Sequence, residues 1–538
     1  MHDVFIEYVY LILIILGFVM IADKLRLPYP IVLVVGGLLL SFTSRFSDIT
    51  IDPDLVFFIF LPPLLYEAAW QVSWKELWRW RRLVTSFAFP LVIVTATVVA
   101  FVSSALIPGF SLALGFLLGG IISPPDAVSA TTIMRRVDVS KSLVSITEGE
   151  SLLNDASSLI VFRFALAATV TGQFHFQEAA LSFLVVIFMG TLIGLVVGMV
   201  FYAIHRWLPT TTGIEIVMTL VTPYCMYYAA EHFHFSGVLA VVSGGLFQSA
   251  RRQTMLGFRT RLEAVNVWDS LVFVLNGLVF LLIGLQLPSI VGQLGETSLT
   301  SAIFYGLVIS LTLIVARMAI TLAASPFTRF MSRFITVEDA HPGWRNPIIL
   351  GWAGMRGVVS LAMALSIPIF IDRQPFPYRN LVLFITFVVI LVTLVFQGLT
   401  LPWVIRKVGA DDKYSTIPAH QQELIIQKKI AKTSLEFLNE KYGEHRVKIE
   451  HLDNLVSRLE IDLQFLEKQM DGSGDGPQTF KSYHSIYLKL LEHQRQLLEA
   501  MNHSAELDED LIRKYLSLID LEEYKLREKR IEEAPQES

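Results

Sequence analysis

Apolar runs recur along the first 409 residues at a density that water-soluble folds do not tolerate. Thirteen can be placed, over 4–22, 29–43, 55–71, 83–107, 111–134, 143–171, 179–207, 213–231, 237–249, 262–287, 299–324, 346–370 and 380–404. A bilayer interior offers the backbone no hydrogen-bond partners, so spans of this length are expected to be helical. Composition agrees: the chain is 53% hydrophobic and 17% charged, with a mean hydropathy of +0.56. Charge is concentrated at one end, since residues 411–538 hold 44 of the 91 Lys, Arg, Asp and Glu residues. Two regions follow, a membrane domain over 1–409 and a soluble tail over 410–538. The fold class expected is an all-α polytopic membrane protein with a helical tail.

Charge placement between the runs tests their number. Lys24, Arg26, Lys75, Arg79, Arg81, Arg82, Arg135, Arg136, Lys141, Arg206, Arg251, Arg252, Arg259, Arg261, Arg329, Arg333 and Arg345 fall in loops that alternate with loops holding Arg45, Arg373 and Arg379. The positive-inside rule then puts the N-terminus outside and the tail in the cytoplasm. The first run follows Met-His-Asp without a basic segment and is long, which reads as a membrane helix and not a cleaved signal. Cys225, the single cysteine, excludes an intrachain disulfide. No basic stripe suggests nucleic acid.

Two runs are interrupted. Pro124 and Pro125 stand directly before Asp126, and proline neither donates an amide hydrogen nor leaves its predecessor helical. Far down the chain, Gly351, Gly354 and Gly357 surround Arg356, and each glycine weakens helix continuity by roughly 1 kcal/mol. These are the fifth and twelfth runs. With the seventh as a linker, runs 1–6 and 8–13 form two six-helix halves of opposite orientation. An inverted repeat of this kind brings its broken helices together around an ion site.

The stretch 147–163, TEGESLLNDASSLIVFR, supplies the chemistry. Ionisable groups inside a membrane are costly, so their presence there signals function. Ser151 and Asp155 share a helix face at i and i+4, with Glu148 one turn earlier, Arg163 two turns later and Asn154 alongside. A dehydrated alkali cation needs several oxygen ligands, at least one of them charged. Asp155, Asp126 and Ser151, with a carbonyl freed at Pro124 or Pro125, would supply them. Buried polar groups that merely satisfy one another are the plainer alternative. It leaves two aspartates on separate spans beside a proline break unexplained.

The same residues carry a family resemblance. ESLLND at 150–155, the proline-containing aspartate motif at 123–128 and GMRG at 354–357 resemble the monovalent cation:proton antiporters, in particular the bacterial sodium/proton exchangers. LPPLLYEAAW (61–70), SGVLAVVSGGL (236–246) and FVLNGLVFLLIG (273–284) extend the likeness over roughly 10–405. The resemblance implies about thirteen helices, a homodimer, and alternating access between a core and a dimerisation domain, in the bacterial inner membrane. It also implies exchange of Na+ (or K+ or Li+) for H+, with no cofactor. Asp155 is then the ion- and proton-binding carboxylate and Asn154 its partner, with Asp126 and Ser151 completing the site. Glu67 becomes a supporting carboxylate near Asn154 and Arg356, and Arg356 the basic residue that stabilises the core. Relatives often carry threonine where this chain has Pro125, so a ligand from that position must be its carbonyl. One titrating carboxylate in an Asn–Asp pair implies electroneutral exchange.

Remaining features read more plainly. Arg356 is expected to pair with a carboxylate, since an unpaired buried guanidinium is costly. Arg163 can snorkel toward one face, Glu150 reads as structural, Glu148 as a mouth charge, and Glu215 and Glu231 as interfacial. His232 and His234 make a weak zinc pair. Gly190, Gly194 and Gly198 form a small-residue face for close helix packing. The tail is a candidate to bind a regulatory ligand or protein. An intramembrane aspartyl protease would carry GxGD within a span, yet the match, Gly472–Asp475, lies in the hydrophilic tail. A cation channel would need a filter that the sequence does not display.

Overall fold

A computed structural model describes residues 2–43, 56–137, 139–172, 176–292, 294, 297–334, 343–371, 374–409, 419–446, 450–470, 477–501 and 509–531. The chain divides into two units, Met1–Asp412 and Lys413–Ser538. Arg45, Arg373 and most of the glycine-rich segment 471–478 lie outside the described residues.

The first unit is built of helices, with one short antiparallel strand pair, Phe370–Ile371 with Gln374–Pro375. Seven helical stretches among the described residues are long and apolar enough to cross a membrane, and Tyr29–Leu40 and Gly237–Ala250 are apolar but shorter. The outward faces are greasy: Leu184, Phe188, Val200, Leu311 and Val315 are all exposed. Arg317, Arg356, Glu150 and Asn154 are buried instead. That inverts the arrangement of a water-soluble protein and suits a hydrocarbon solvent, making this an integral membrane protein.

Helix starts and bends follow local chemistry. Ser73, Ser111, Ser236 and Ser298 each accept a hydrogen bond from the amide three residues on, capping the helices they precede. The cap at Ser73 starts the helix at Trp74, well before the apolar run at 83. A stretch rich in Trp and Arg is therefore helical although its composition reads as a loop. Pro90 sits inside a wide turn, Phe87–Leu91, that joins Trp74–Ser86 to Val92–Leu106; without its amide hydrogen the regular ladder cannot close there.

Two spans are broken. Leu112–Ile122 ends at Ser123 and Ala127–Met134 starts after Asp126, while Arg345–Trp352 and Val358–Leu365 flank a gap at 353–357. The breaks meet: the Asp126 amide donates to the Met355 carbonyl at 2.6 Å. Around them run the uninterrupted helices Lys141–Thr171 and Leu299–Met331. The glycines of Phe176–Trp207 lie against Gly237–Ala250, where a side chain at Gly194 would collide with the Ala240 carbonyl. That packing is within the chain.

The second unit holds two helical hairpins. Ala419–Arg446 packs on Glu450–Met470 with Lys428 3.2 Å from Glu467. Pro477–Met501 packs on Glu509–Ile531, where Arg495 reaches Asp520 at 2.7 Å and Glu523 at 2.8 Å.

Tyr29–Leu40 and Phe258–Leu285 approach so closely that a side chain at Gly37 or Gly284 would strike the other helix's backbone. Gly284→Val is expected to cost about 1–3 kcal/mol through overpacking. Thermal unfolding in detergent checks this, with a midpoint several degrees lower than wild type expected.

Candidate functional site

Each half-helix that stops at the crossing leaves carbonyls without intrahelical partners, and each that starts there leaves amides. Side-chain charges answer them. Asp126 caps Ala127–Met134: its carboxylate accepts from the Val128 amide at 3.1 Å, the Ser129 amide at 3.4 Å and the Ser129 hydroxyl at 2.6 Å. A negative group at a helix N-terminus is favoured by capping and by the macrodipole together. At the opposite polarity, Arg356 donates from Nε to the Ile122 carbonyl at 2.9 Å and from a terminal nitrogen to the Ser123 carbonyl at 3.3 Å. It also donates to Gly354 O, and its own amide donates to the Thr393 hydroxyl at 3.1 Å.

The expected carboxylate partner of Arg356 is therefore corrected. Among the described residues, its guanidinium is satisfied by carbonyls at the C-terminal end of Leu112–Ile122, where a positive charge is stabilised. A second arginine plays the matching role at the other break. Arg317 donates to Leu350 O at 3.3 Å, near the end of Arg345–Trp352. It also grips Glu150 with two parallel hydrogen bonds of 2.8 and 3.0 Å. Both side chains are 1% exposed, so this is a fully buried ion pair with the bidentate geometry such burial requires. Glu150 is thus held in place by this pair. Arg317 escaped the sequence reading because it is one arginine in an otherwise apolar helix, with no motif around it.

The glycines of GMRG have packing reasons. A Cβ at Gly354 would collide with the Arg317 side chain, and one at Gly357 would fall 2.6 Å from Asp126 Oδ2. Only a missing side chain lets the second break approach both charged groups.

Lys141–Thr171 runs past this crossing and presents the remaining residues. Asn154 is fully buried; its Nδ2 donates to the Pro125 carbonyl at 3.3 Å, while its Oδ1 has no partner among the described residues. The Ser151 hydroxyl accepts from the Ala127 amide at 3.3 Å. Asp155 is 7% exposed, and among the described residues nothing donates a hydrogen bond to its carboxylate. Asp155, Asp126, Ser151 and Pro125 all line one cavity of about 330 Å³. Glu67, Arg135, Glu148 and Asp269 line it too, and Asp269 and Arg135 are exposed, so the cavity reaches the surface at that end. The Asp155 carboxylate and the Ser151 hydroxyl line this cavity, and oxygen donors of this kind suit a hard monovalent cation as substrate.

Glu67 lines this cavity and accepts a hydrogen bond from Gln71. The helix Leu61–Gln71 forms part of the cavity wall, as does Asp269. Arg163 donates to both carboxylate oxygens of Glu231 at 2.9 Å, and Glu231 also accepts from the Gly237 amide at 3.2 Å. Glu148 pairs with Arg135 at 2.8 Å at the cavity's outer end. Asp269 was missed by sequence because it sits in a polar stretch, 266–270, that reads as a helix end. His232 stacks on Tyr228.

A carboxylate without a partner, sunk beside two crossed helix breaks in a membrane bundle, defines the class as an ion-coupled secondary transporter. The chain belongs to the sodium/hydrogen exchanger family, whose transmembrane model matches residues 10–407. It is 30% identical over 521 residues to an uncharacterized Na+/H+ exchanger of Mycobacterium tuberculosis, spanning 94% of this chain and 93% of the relative. A sodium, potassium, lithium and rubidium/H+ antiporter of Bacillus subtilis is 34% identical over 386 residues, 70% of this chain and 57% of the relative. A Na+/H+ antiporter of Aphanothece halophytica is 30% identical over 492 residues, 90% and 87% of the two chains. In fold, the chain is similar to the sodium proton antiporter of Methanocaldococcus jannaschii, with a TM-score of 0.57 over 75% of this chain and 98% of that one at 16% identity.

Glu150→Gln leaves Arg317 buried without its counter-charge, which is expected to cost about 3–5 kcal/mol. Glu150→Met combined with Arg317→Met removes both charges and is expected to unfold at a higher temperature than Glu150→Gln alone. Thermal unfolding of the purified variants in detergent orders the three.

Proposed function

We propose that this chain exchanges a monovalent cation for H+ by alternating access, with Asp155 as the group for which the two compete. The observation that carries the reading is the Asp155 carboxylate, which lacks a hydrogen bond among the described residues at the wall of a cavity beside the crossing. Burial disfavours a bare negative charge, and either a proton or a cation removes it. Both cannot occupy the same oxygens at once, so each crossing of the site carries one or the other. Coupling then needs no covalent chemistry and no cofactor.

In this reading Ser151, Asn154 and Asp126 complete the cation's oxygen shell, and the Pro125 carbonyl holds Asn154 in place through its amide. Asp126 has a double task, because its oxygens already cap a half-helix. Glu67, Glu148 and Asp269 lead a cation from the surface toward Asp155. Na+ is the proposed substrate, with K+ and Li+ as further candidates, which the likeness to the sodium, potassium, lithium and rubidium/H+ antiporter of Bacillus subtilis supports. One titrating carboxylate beside a neutral amide supports one-for-one, electroneutral exchange.

The proposed frame has thirteen crossings with the N-terminus outside, supported by the 17 basic residues on one set of loops against three on the other. Arg135 belongs to the basic set, so the cavity faces the cytoplasm. The membrane domain spans 1–409 and the tail, 410–538, is cytoplasmic, where a regulatory ligand or protein would meet it. The unit in the bacterial cell membrane is a homodimer, by likeness to the family.

In proteoliposomes, Asp155→Asn is expected to abolish Na+-driven proton movement, read from an internal pH dye; retained exchange rejects the assignment. Ser151→Ala is expected to keep exchange while raising the Na+ concentration for half-maximal rate several-fold. Clamping the membrane potential with K+ and valinomycin is expected to leave the wild-type rate unchanged, and a voltage-dependent rate overturns electroneutrality.

A further inference from the structure

A second cavity, of about 460 Å³, lies away from the ion site, between Trp74–Leu106 and Leu299–Met331. Val94, Val98, Leu311, Val315, Ala319 and Ile320 are among the residues that line it. Leu311, Val315 and Val94 are exposed, so the groove opens on the greasy outer surface of the bundle. Its lining is apolar apart from Thr312, which suits an acyl chain.

Charge at one end says what the chain would belong to. Following Trp74–Leu106 back from Val94 leads, over about 18 to 23 Å at 1.5 Å per residue, to Arg82, Arg81 and Arg79. Following Leu299–Met331 forward from Ile320 leads, over about 14 to 20 Å, to Arg329 and Arg333. Both arginine clusters fall in the basic set of loops, which the positive-inside rule assigns to one side of the membrane. Arg81, Arg82, Arg329 and Arg333 are exposed. Exposed aromatics accompany both clusters: Trp74 stacks on Trp78, Arg81 lies 4.6 Å over the Trp78 ring, and Phe327, Phe330 and Phe334 are exposed. Aromatic side chains at this density are the signature of a headgroup layer, and clustered arginines there attract anionic lipid.

The groove also backs onto the site. Val315, Ala316, Ala319 and Ile320 flank Arg317, which points inward from the same helix to Glu150 and Leu350 O. Glu150 is adjacent to Ser151 and just over one turn before Asp155. The other groove helix bears on the same element, since Gly149 sits against Leu77 and Val84 of the Trp74–Ser86 segment.

We propose that this groove is a regulatory site for an anionic phospholipid, with one acyl chain between the two helices and its phosphate on the arginine clusters. A seated lipid props Leu299–Met331 and keeps Arg317 on Glu150, favouring exchange. The inference uses the antiport reading for its activity measurement alone; lipid retention is read without it.

Two measurements test it on the full chain. In native mass spectrometry, the wild type is expected to retain phosphatidylglycerol over phosphatidylcholine. Arg81→Gln/Arg82→Gln/Arg329→Gln/Arg333→Gln is expected to lose that preference, and Ala319→Trp, which fills the groove without altering charge, to lose the bound lipid. In proteoliposomes, wild-type exchange is expected to rise at least roughly threefold from pure phosphatidylcholine to vesicles with phosphatidylglycerol, and the rise to vanish in both variants. A rise that persists in Ala319→Trp reflects surface potential acting on the ions and overturns the site, as does equal retention of both lipids by the wild type. Loss of all exchange in wild type with lipid retention intact would count against the antiport reading and leave the lipid site standing.

Discussion

Two helices stop inside a medium that offers their ends nothing, and the protein rests on how those ends are satisfied. At the crossing, Asp126 N bonds Met355 O, the Asp126 carboxylate caps one half-helix, and Arg356 and Arg317 cover carbonyls at the ends of the two others. Each charge is placed where a helix terminus carries the opposite partial charge. An unsatisfied backbone group in hydrocarbon costs several kcal/mol, so these contacts decide whether the breaks can exist.

The same arrangement explains why Asp155 differs from its neighbours. Asp126 is spent on amides and a hydroxyl, and Glu150 on a bidentate guanidinium. Glu231 is spent on Arg163, and Glu148 on Arg135. Every one of these acids has a fixed partner that holds its charge. Asp155 has none among the described residues, yet lies against the cavity with Ser151 and the open oxygen of Asn154 nearby in sequence. These acids are paired, and the unpaired one is the carboxylate proposed to take the cargo.

The buried Glu150–Arg317 pair ties three elements together. Arg317 comes from Leu299–Met331, its carboxylate partner from Lys141–Thr171 and its carbonyl partner from Arg345–Trp352, while Gly354 lies flush against its side chain. Replacing such a pair by apolar side chains is often neutral in stability. Its value here is geometric, since it fixes the helix that carries Asp155 relative to the second break. A lipid-facing groove on the far side of Arg317 gives the membrane a route to that contact.

Much of this was legible in the chain itself. The membrane class follows from apolar runs, because no water-soluble fold can bury so many. The break at Pro124–Asp126 follows from proline's missing donor, and the placing of Asp155, Ser151 and Asn154 on one helix follows from their spacing. Helix ends were less legible, as at Trp74, where a serine cap extends the helix through Trp and Arg that hydropathy assigns to a loop. What only the tertiary structure decided were the partners. Sequence assigned Arg356 a carboxylate, whereas the fold gives it carbonyls. Arg317 and Asp269 carried no local signal at all. Periodicity and backbone chemistry act over a few residues and can be read along the chain. Charge pairing across 167 residues, as between Glu150 and Arg317, depends on which helices the packing brings together.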